Sequence, residues 1–389
     1  MAALMALGIL RVLAIVSGIA TLASIGYCLL TLFAAARFVQ RTPRTANSGE
    51  LPGISILKPL KGADPELYEA LRSHCGQDYP DYEVLFGITQ PNDPAGHVVE
   101  KLMAEFPGRK FRLVVCQKRL GTNGKVSTLA QLLPLATHEI LLVNDSDIRV
   151  APDYLRTIAS GLQQPSTGLV TCLYRGAPAA TIGSRLESMG ISTDFVPGVL
   201  VAWLIERGLH FGLGSTLAFR RSDLQAMGGF EAILDYLADD YELGKRISQR
   251  GLNVELSRTV VETHLPAYNL AGFFSHQLRW ARTVRASRAG GYAGLLLTFA
   301  IPWASAALIF ARGADWAGWL FAAALLLRLA VAITFCRSVL RDRNALRSLW
   351  LLPIRDFVGV LVWIGGWVGR GIVWRGEKFL LERGKLRPV

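Results

Sequence analysis

The chain has 389 residues, 51% of them hydrophobic and only 19% charged, with a mean hydropathy of +0.32. Soluble globular proteins carry about 25% charged residues, so this composition excludes disorder, a collagen-like fibre and a disulfide scaffold and points to a bilayer. The net charge of +12 suits nucleic acid, anionic lipid headgroups or a phosphorylated substrate, and does not choose among them.

The first element is Val12–Ala36, 25 residues without a charge. A helix of that length spans about 37 Å, more than the hydrocarbon core of about 30 Å. The run continues straight to Arg37, Arg41 and Arg44 with no cleavage-site pattern, so it reads as a permanent anchor with the following domain in the cytoplasm. Five scattered cysteines (Cys28, Cys75, Cys116, Cys172, Cys336) form no CxxC pair and fit a reducing compartment.

Between Arg37 and Arg288 short apolar runs alternate with amphipathic stretches. Ile54–Leu60, Tyr82–Thr89, Phe111–Cys116, Glu139–Val143 and Gly168–Tyr174 are bounded by turn residues and read as buried parallel strands. Asp64-Pro65 and Ala151-Pro152-Asp153 open helices between them. The alternation predicts a doubly wound, Rossmann-like α/β domain whose ligand lies beyond the C-terminal strand ends. No GxGxxG or GxxxxGK[ST] loop is present.

Asn144-Asp145-Ser146-Asp147 follows directly on the strand Glu139–Val143. In extended chain Asp145 and Asp147 point the same way, and two such charges call for a cation. Mg²⁺ or Mn²⁺ held by one or two carboxylates and completed by substrate phosphates meets that need. A turn with an Asp cap is the alternative, and the place at a strand end favours the metal–phosphate reading. Asp239-Asp240 opens a helix, where acids commonly serve the helix dipole. Asp93, in Pro91-Asn92-Asp93-Pro94, is a turn residue or a contact for a base. Lys125, in Gly121-Thr122-Asn123-Gly124-Lys125, is a phosphate contact or an ordinary surface lysine. The six histidines show no metal-binding spacing.

Gln277, Arg279 and Trp280 begin a row of arginines (Arg279, Arg282, Arg285, Arg288) just before the next apolar segment. By spacing alone this is a basic face at the lipid headgroups, with binding of a diphosphate or sugar as the alternative. Spans follow at about 289–311 and 316–336, the second broken by Arg328. The segment 349–369 contains Arg355 and Asp356, which could pair with each other, and is followed by a basic tail. Placing both that tail and the loop 337–347 inside makes 349–369 interfacial or re-entrant.

In order, Ser55–Gly62 (SILKPLKG), Gln77–Pro80 (QDYP), Asn92-Asp93-Pro94, Asp145–Val150 (DSDIRV), Asp239-Asp240-Tyr241 and Gln277-x-Arg279-Trp280 resemble a family-2 glycosyltransferase of the GT-A fold, in its ceramide glucosyltransferase-like branch. The resemblance covers about residues 50–290. It implies a nucleotide-diphospho-sugar transferase domain between an N-terminal transmembrane helix and two or three C-terminal transmembrane or interfacial helices. The corresponding domains are 1–37, 38–288 and 289–389. It also implies nucleotide contacts from Asp93, Lys125 and Asp145, a metal at Asp145 and Asp147, Asp240 as the base, and Gln277, Arg279 and Trp280 at the diphosphate and acceptor. The implied reaction is inverting, metal-dependent transfer from a UDP-sugar, glucose or N-acetylglucosamine, to a membrane lipid. Animal ceramide glucosyltransferases carry Asp-Ser-Gly where this chain has Asp145-Ser146-Asp147. The segments Gly168–Gly176 and Tyr236–Tyr241 are more similar to bacterial hopanoid-associated glycosyltransferases, so the expected acceptor is a bacteriohopanetetrol-type hopanoid, with ceramide as the alternative. The expected location is the bacterial inner membrane, with several passes and the catalytic domain in the cytoplasm. A processive polysaccharide synthase and a non-enzymatic scaffold on anionic lipid are the competing readings. Nucleic acid is not an expected partner, because the basic residues cluster beside the apolar segments.

Overall fold

The computed structural model describes residues 2–41, 51–64, 66–374 and 376–388; Arg44, Pro65 and Arg375 lie outside them. The chain divides into two compact units, Met1–Arg41 with Ala180–Val201 and Ala267–Val373, and Thr42–Ala179 with Ala202–Pro266 and Trp374–Val389. These boundaries differ from those expected at 37 and 288. Residues 180–201 and the helix carrying Gln277 fall with the apolar helices, and the basic tail falls with the α/β unit.

In the α/β unit, the strands are β1 (Ile54–Pro59), β2 (Tyr82–Ile88), β3 (Lys110–Val115), β4 (Ile140–Val143), β5 (Ile148–Arg149), β6 (Thr167–Pro178), β7 (Leu217–Arg220) and β8 (Asn253–Leu265). They form one sheet in the order β3-β2-β1-β4-β7-β6-β8-β5. Five of the expected strands are present within a residue or two at their starts. The sheet is mixed rather than parallel throughout: β1–β4 run parallel, and β7 then pairs antiparallel with both β4 and β6. Every residue of β1, β2 and β4 is buried, as continuous Val/Ile/Leu/Phe runs require. The helices that cross between strands are α2 (Leu67–Cys75), α3 (Pro94–Glu105), α4 (Gly124–Leu132) and α5 (Tyr154–Leu162). Glu66 rather than Asp64 precedes α2, and neither it nor Asp153 before α5 makes a side-chain cap. The chain leaves this unit for α6 (Ile182–Gly190) and α7 (Val196–Ile205), and α8 (Arg221–Ala226) and α9 (Asp239–Gln249) follow on return.

Glu83 on β2 pins one end of the sheet. Its carboxylate accepts from Ser55 Oγ (2.7 Å), the Thr137 N–H (2.6 Å), Thr137 Oγ1 (2.8 Å) and Arg112 (2.9 Å). Burial alone would raise its pKa, but the four donors outweigh it and hold the group at about 2.

The other unit is built from α1 (Ala2–Gln40), α6, the start of α7, α10 (Leu270–Ser287), α11 (Ala289–Gly294), α12 (Ala300–Phe310), α13 (Asp315–Thr334), α14 (Arg343–Arg347) and α15 (Leu352–Trp367). Among the described residues four helical segments are long and apolar enough to cross a membrane: Leu4–Gln40, Ile182–Ile205, Asp315–Val339 and Leu349–Trp367. They mark the protein as membrane-associated. The expected span 289–311 is not one straight helix, because Ala289–Thr298 and Ala300–Phe310 meet at 53°. Pro302 explains the break: it has no N–H for the Thr298 carbonyl and its ring crowds that group. Arg282 and Arg285 of α10 donate to the carbonyls of Val368, Gly369 and Gly371, so these two arginines clamp the end of α15.

The charges inside the apolar segments also pair differently from the expectation. Asp356 faces Arg328 of α13, which meets both its carboxylate oxygens at 3.1 Å and 3.1 Å, and not its neighbour Arg355. Arg328 also bonds the Thr193 carbonyl (2.7 Å) and Asp194, while Arg355 pairs with Asp194 at 3.2 Å. One residue is 100° of helix rotation, so adjacent side chains diverge and each finds a partner on another segment.

Beyond Trp374, β10 (Glu377–Glu382) and β11 (Lys385–Pro388), which follow β9 (Gly371–Trp374) in the chain, pair antiparallel as a hairpin in the α/β unit. All five cysteines are free and buried.

Candidate active site

The sheet order places a topological switch between β1 and β4, because β2 and β3 lie on one side of β1 and β4 on the other. Ligands of open α/β sheets lie outside the carboxyl ends of the strands at such a point. Lys58 near the end of β1 and Asp145 just past β4 flank it. Lys58 is fully buried and its Nζ donates to the Asp145 carbonyl at 3.1 Å. Burial pulls its pKa down to about 7, against the attraction of Asp147 and Asp145.

Asp145 and Asp147 do not lie in extended chain. The Ile148 N–H returns to the Asp145 carbonyl (3.4 Å), a turn of the kind that Asp and Ser favour, and the two side chains take different partners. Asp145 Oδ1 accepts from Lys125 Nζ at 2.7 Å, and Asp147 Oδ2 accepts from Thr263 Oγ1 at 2.8 Å. Burial and the Asp145 charge push the Asp147 pKa up.

Lys125 is buried and also meets Asp239 Oδ2 at 2.9 Å. It sits in the first turn of α4, whose N-cap Asn123 accepts from the Val126 N–H. It is therefore not a free surface lysine. Burial alone would lower its pKa, but the charges of Asp145, Asp239 and Asp240 raise it. Asp239 and Asp240 open α9, as the sequence suggested. Asp240 Oδ2 accepts from the Gly214 N–H and Oδ1 from the Tyr241 N–H, each at 2.8 Å. Its pKa is raised by burial and by Asp239, with Lys125 opposing. A Cβ at position 214 would lie 2.7 Å from Asp145 Oδ2 and 3.3 Å from Asp240 Oδ2. Glycine at that point lets the two carboxylates converge on one spot.

Asp145, Asp147, Asp239 and Asp240 therefore face two lysines, an excess of negative charge. Among the described residues no three His, Cys, Asp or Glu side chains surround a common ion position. The donor set fits a hard cation that one or two carboxylates hold and phosphate oxygens complete, and does not fit a cage made of protein alone.

Asp93 caps α3: its Oδ1 accepts from the Ala95 N–H (3.0 Å) and from the Gly62 N–H (2.9 Å), which ties the loop after β1 to the end of β2. Gln277, Arg279 and Trp280 lie in the other unit on α10. There Gln277 Oε1 accepts from Arg355 at 3.3 Å, and Trp280 packs edge-on against Phe195 at 5.8 Å. The sequence reading missed Lys58, Gly214 and Thr263 as parts of the cluster, and gave Asp239 only the role of an acid at a helix start. A lysine inside an otherwise apolar strand was a usable signal for the first.

A family model described as glycosyl transferase family 21 matches residues 16–387. Ceramide glucosyltransferase 1 of Caenorhabditis elegans is 26% identical over 233 residues, 60% of this chain and 50% of that protein. The ceramide glucosyltransferase of Candida albicans is 30% identical over 129 residues, 30% of this chain and 24% of that protein. The chain thus spans half or less of the length of these relatives. Among solved structures, the mannosyltransferase PcManGT from Pyrobaculum calidifontis, in complex with GDP-Man and Mn²⁺, is similar with a TM-score of 0.55. The match has 22% identity and covers 91% of this chain and 99% of that one, and it shows the GT-A fold.

Proposed function

The chain belongs to glycosyl transferase family 21, and we propose that this glycosyltransferase moves a single sugar from a UDP-sugar to a hydroxyl of a membrane lipid, with inversion. The observation that carries this reading is the convergence of Asp145 and Asp240 over Gly214, beside Lys125, at the switch point of the sheet. The apolar helices support a lipid acceptor, and the relatives named ceramide glucosyltransferase support a glycolipid product. The acceptor we favour is a bacteriohopanetetrol-type hopanoid, on the sequence resemblance of residues 168–176 and 236–241. Ceramide is the second reading, on the names of the relatives.

In the reaction, Asp240 takes the proton from the acceptor hydroxyl. Burial and the Asp239 charge raise its pKa, which makes it a better base. The hydroxyl oxygen then bonds to the anomeric carbon as the bond to UDP breaks on the opposite face. The backbone N–H groups of Gly214 and Tyr241 hold the carboxylate in place. Lys125 neutralises Asp145 and Asp239 and stands ready for phosphate, and Lys58 holds the Asp145 turn through its carbonyl. Asp145 and Asp147 would hold Mg²⁺ or Mn²⁺, which supplies charge neutralisation of the departing diphosphate. We assign Asp93 to the nucleotide base and Gln277, Arg279 and Trp280 to the diphosphate and acceptor. The positive residues after α1 support a catalytic unit facing the cytoplasm.

The test supplies the purified protein with UDP-glucose or UDP-N-acetylglucosamine and with bacteriohopanetetrol or ceramide, with and without a chelator, and weighs the lipid product. One added sugar, lost on chelation, is the expected result. A polymer would favour a synthase, and no UDP release with any acceptor would remove the enzymatic reading of this acceptor class.

A further inference from the structure

The basic tail, which its composition assigns to the membrane surface, is bonded in the structure to the loop that leads into Asp239 and Asp240. The Leu386 N–H donates to the Asp235 carbonyl at 2.7 Å, and the Leu237 N–H donates to the Gly384 carbonyl at 3.0 Å. Tyr236 and Lys385 form the antiparallel bridge between these two bonds. Residues 235–237 thus pair with β11 on the edge of the hairpin that β10 does not occupy. Phe379, Leu381 and Leu386 of the hairpin are buried. Gly384 sits at φ 82°, a conformation that glycine adopts without strain.

The same short loop is held from a second side. Asp235 Oδ1 accepts from the Thr122 N–H (3.0 Å) and Thr122 Oγ1 (2.9 Å). The Tyr236 carbonyl accepts from Asn123 Nδ2 (2.7 Å), and the Leu234 carbonyl accepts from the Asn123 N–H (2.8 Å). A Cβ at Gly121 would lie 2.6 Å from Leu234 Cβ, so the two loops are in close contact. Asn123 caps α4, which carries Lys125, and Lys125 joins Asp145 to Asp239. Residues 234–237 are therefore a hub with the hairpin on one side, the lysine's helix on another and the paired aspartates directly after it.

We propose that the C-terminal hairpin is a positioning element of the active site, which sets the start of α9 and hence the Asp240 carboxylate through its backbone bonds to residues 235–237. The proposal rests on the reading of Asp240 as the base. Misplacing a catalytic group by about 1 Å can cost on the order of 10²-fold in rate. The hairpin's effect should fall on turnover more than on donor binding, because the groups it reaches most directly are Asp239 and Asp240.

Leu386→Pro tests this in the full-length protein. Proline deletes the N–H that bonds the Asp235 carbonyl, and Leu386→Val keeps that N–H while losing apolar contact, so the pair separates the backbone bond from packing. The expected result is that kcat of Leu386→Pro falls at least about tenfold below that of Leu386→Val, while the affinity for UDP with Mn²⁺ changes less than about threefold. Hydrogen exchange should rise across residues 234–243 and stay unchanged in β1 and β4. Equal kcat in the two variants would overturn the proposal. Should Leu386→Pro not fold, Gly384→Val, which strains the turn carrying the other bond, takes its place with the same readouts. If Asp240→Asn itself retains turnover, the base reading fails, and exchange alone then decides the hairpin's role: unchanged protection of 234–243 overturns it and lost protection upholds it.

Discussion

Lys125 is the residue on which the electrostatics of the candidate site turn, and Lys125→Met is the perturbation that measures it. Methionine keeps an unbranched apolar stem of similar length and removes the ammonium, with its charge and its hydrogen bond to Asp145. In the wild type the side chain is 8% exposed and its ammonium lies 2.7 Å from Asp145 and 2.9 Å from Asp239. Asp239 is 10% exposed and Asp145 45%, so the first loses its only ion pair among the described residues in a largely dry setting and the second retains water. Removing one partner of a buried pair costs about 3–5 kcal/mol. The exposure of Asp145 places the expected loss at the lower end, about 3 kcal/mol, since screened pairs contribute little. For a domain of this size that corresponds to a melting shift of about 6–12 °C.

A second consequence concerns pH. Lys125 holds the Asp240 pKa down against burial and Asp239, so without it Asp240 takes up a proton at higher pH. The acid limb of the kcat profile should then move upward, and turnover at neutral pH should fall beyond what the melting shift explains. The sign for stability follows from the same rise. A native carboxyl with a raised pKa binds protons that the unfolded chain does not, so the variant's stability falls as pH rises through that pKa. The deficit should therefore be larger at pH 8 than at pH 5. Scanning fluorimetry at both pH values and a pH–rate profile make the measurement. An unshifted acid limb together with an unchanged melting temperature would refute the reasoning.

Asp240→Asn should fold and bind UDP with Mn²⁺ while losing about 10²–10⁴-fold in turnover, the usual worth of a general base; steady-state assay of UDP release checks it. Glu83→Gln leaves Ser55 and Thr137 facing an amide and should cost about 1–3 kcal/mol. Because the wild-type pKa is depressed to about 2, the gap between wild type and variant should be full above the ordinary glutamate value of about 4.3 and close as pH falls toward 2, as urea titrations at several pH values would show. Arg328→Met strands Asp356 and should lower the melting temperature in detergent markedly, at about 3–5 kcal/mol, whereas Arg328→Met with Asp356→Leu should lose less than the single change.

The strands that position the site were legible because each is a short, fully apolar run ending in turn residues. Ile54–Pro59, Tyr82–Ile88 and Ile140–Val143 have that form. β7 was not, because Leu217–Arg220 has only three apolar residues and its Arg220 runs straight into α8 with no turn residue between. β8 has Val254 and Leu256 on alternate residues and the β-branched Thr259-Val260-Val261, so its signal was present and unread. At the site, Asp145, Asp240 and Lys125 could be named one by one, since acids at strand and helix starts and a lysine in a glycine-bounded loop are local features. What unites them is non-local. Lys125 and Asp239 are more than a hundred residues apart, and only the packing of the 121–123 loop against 234–236 brings them together.

The same contrast explains the misreading of the charges in the apolar segments. Hydropathy scores each charge as if it stood alone, so Arg328 seemed to break one span and Arg355 with Asp356 to weaken another. In the structure Arg328 meets Asp356 and Asp194, and Arg355 meets Asp194 and Gln277. The segment Ile182–Ile205, with Arg185, Glu187 and Asp194 in it, passed for part of the α/β domain for the same reason, although its mean hydropathy is that of a span. Two arginines and two aspartates on three separate segments neutralise one another, and the desolvation each would suffer singly becomes a requirement that the segments assemble together. Asp194 follows Thr193 in a π turn, the local widening of a helix that recurs at functional sites. Arg355 reaches from that turn to Gln277 of the glutamine–arginine–tryptophan motif. The charges that obscured the spans are therefore the groups that join the spans to the helix bearing that motif.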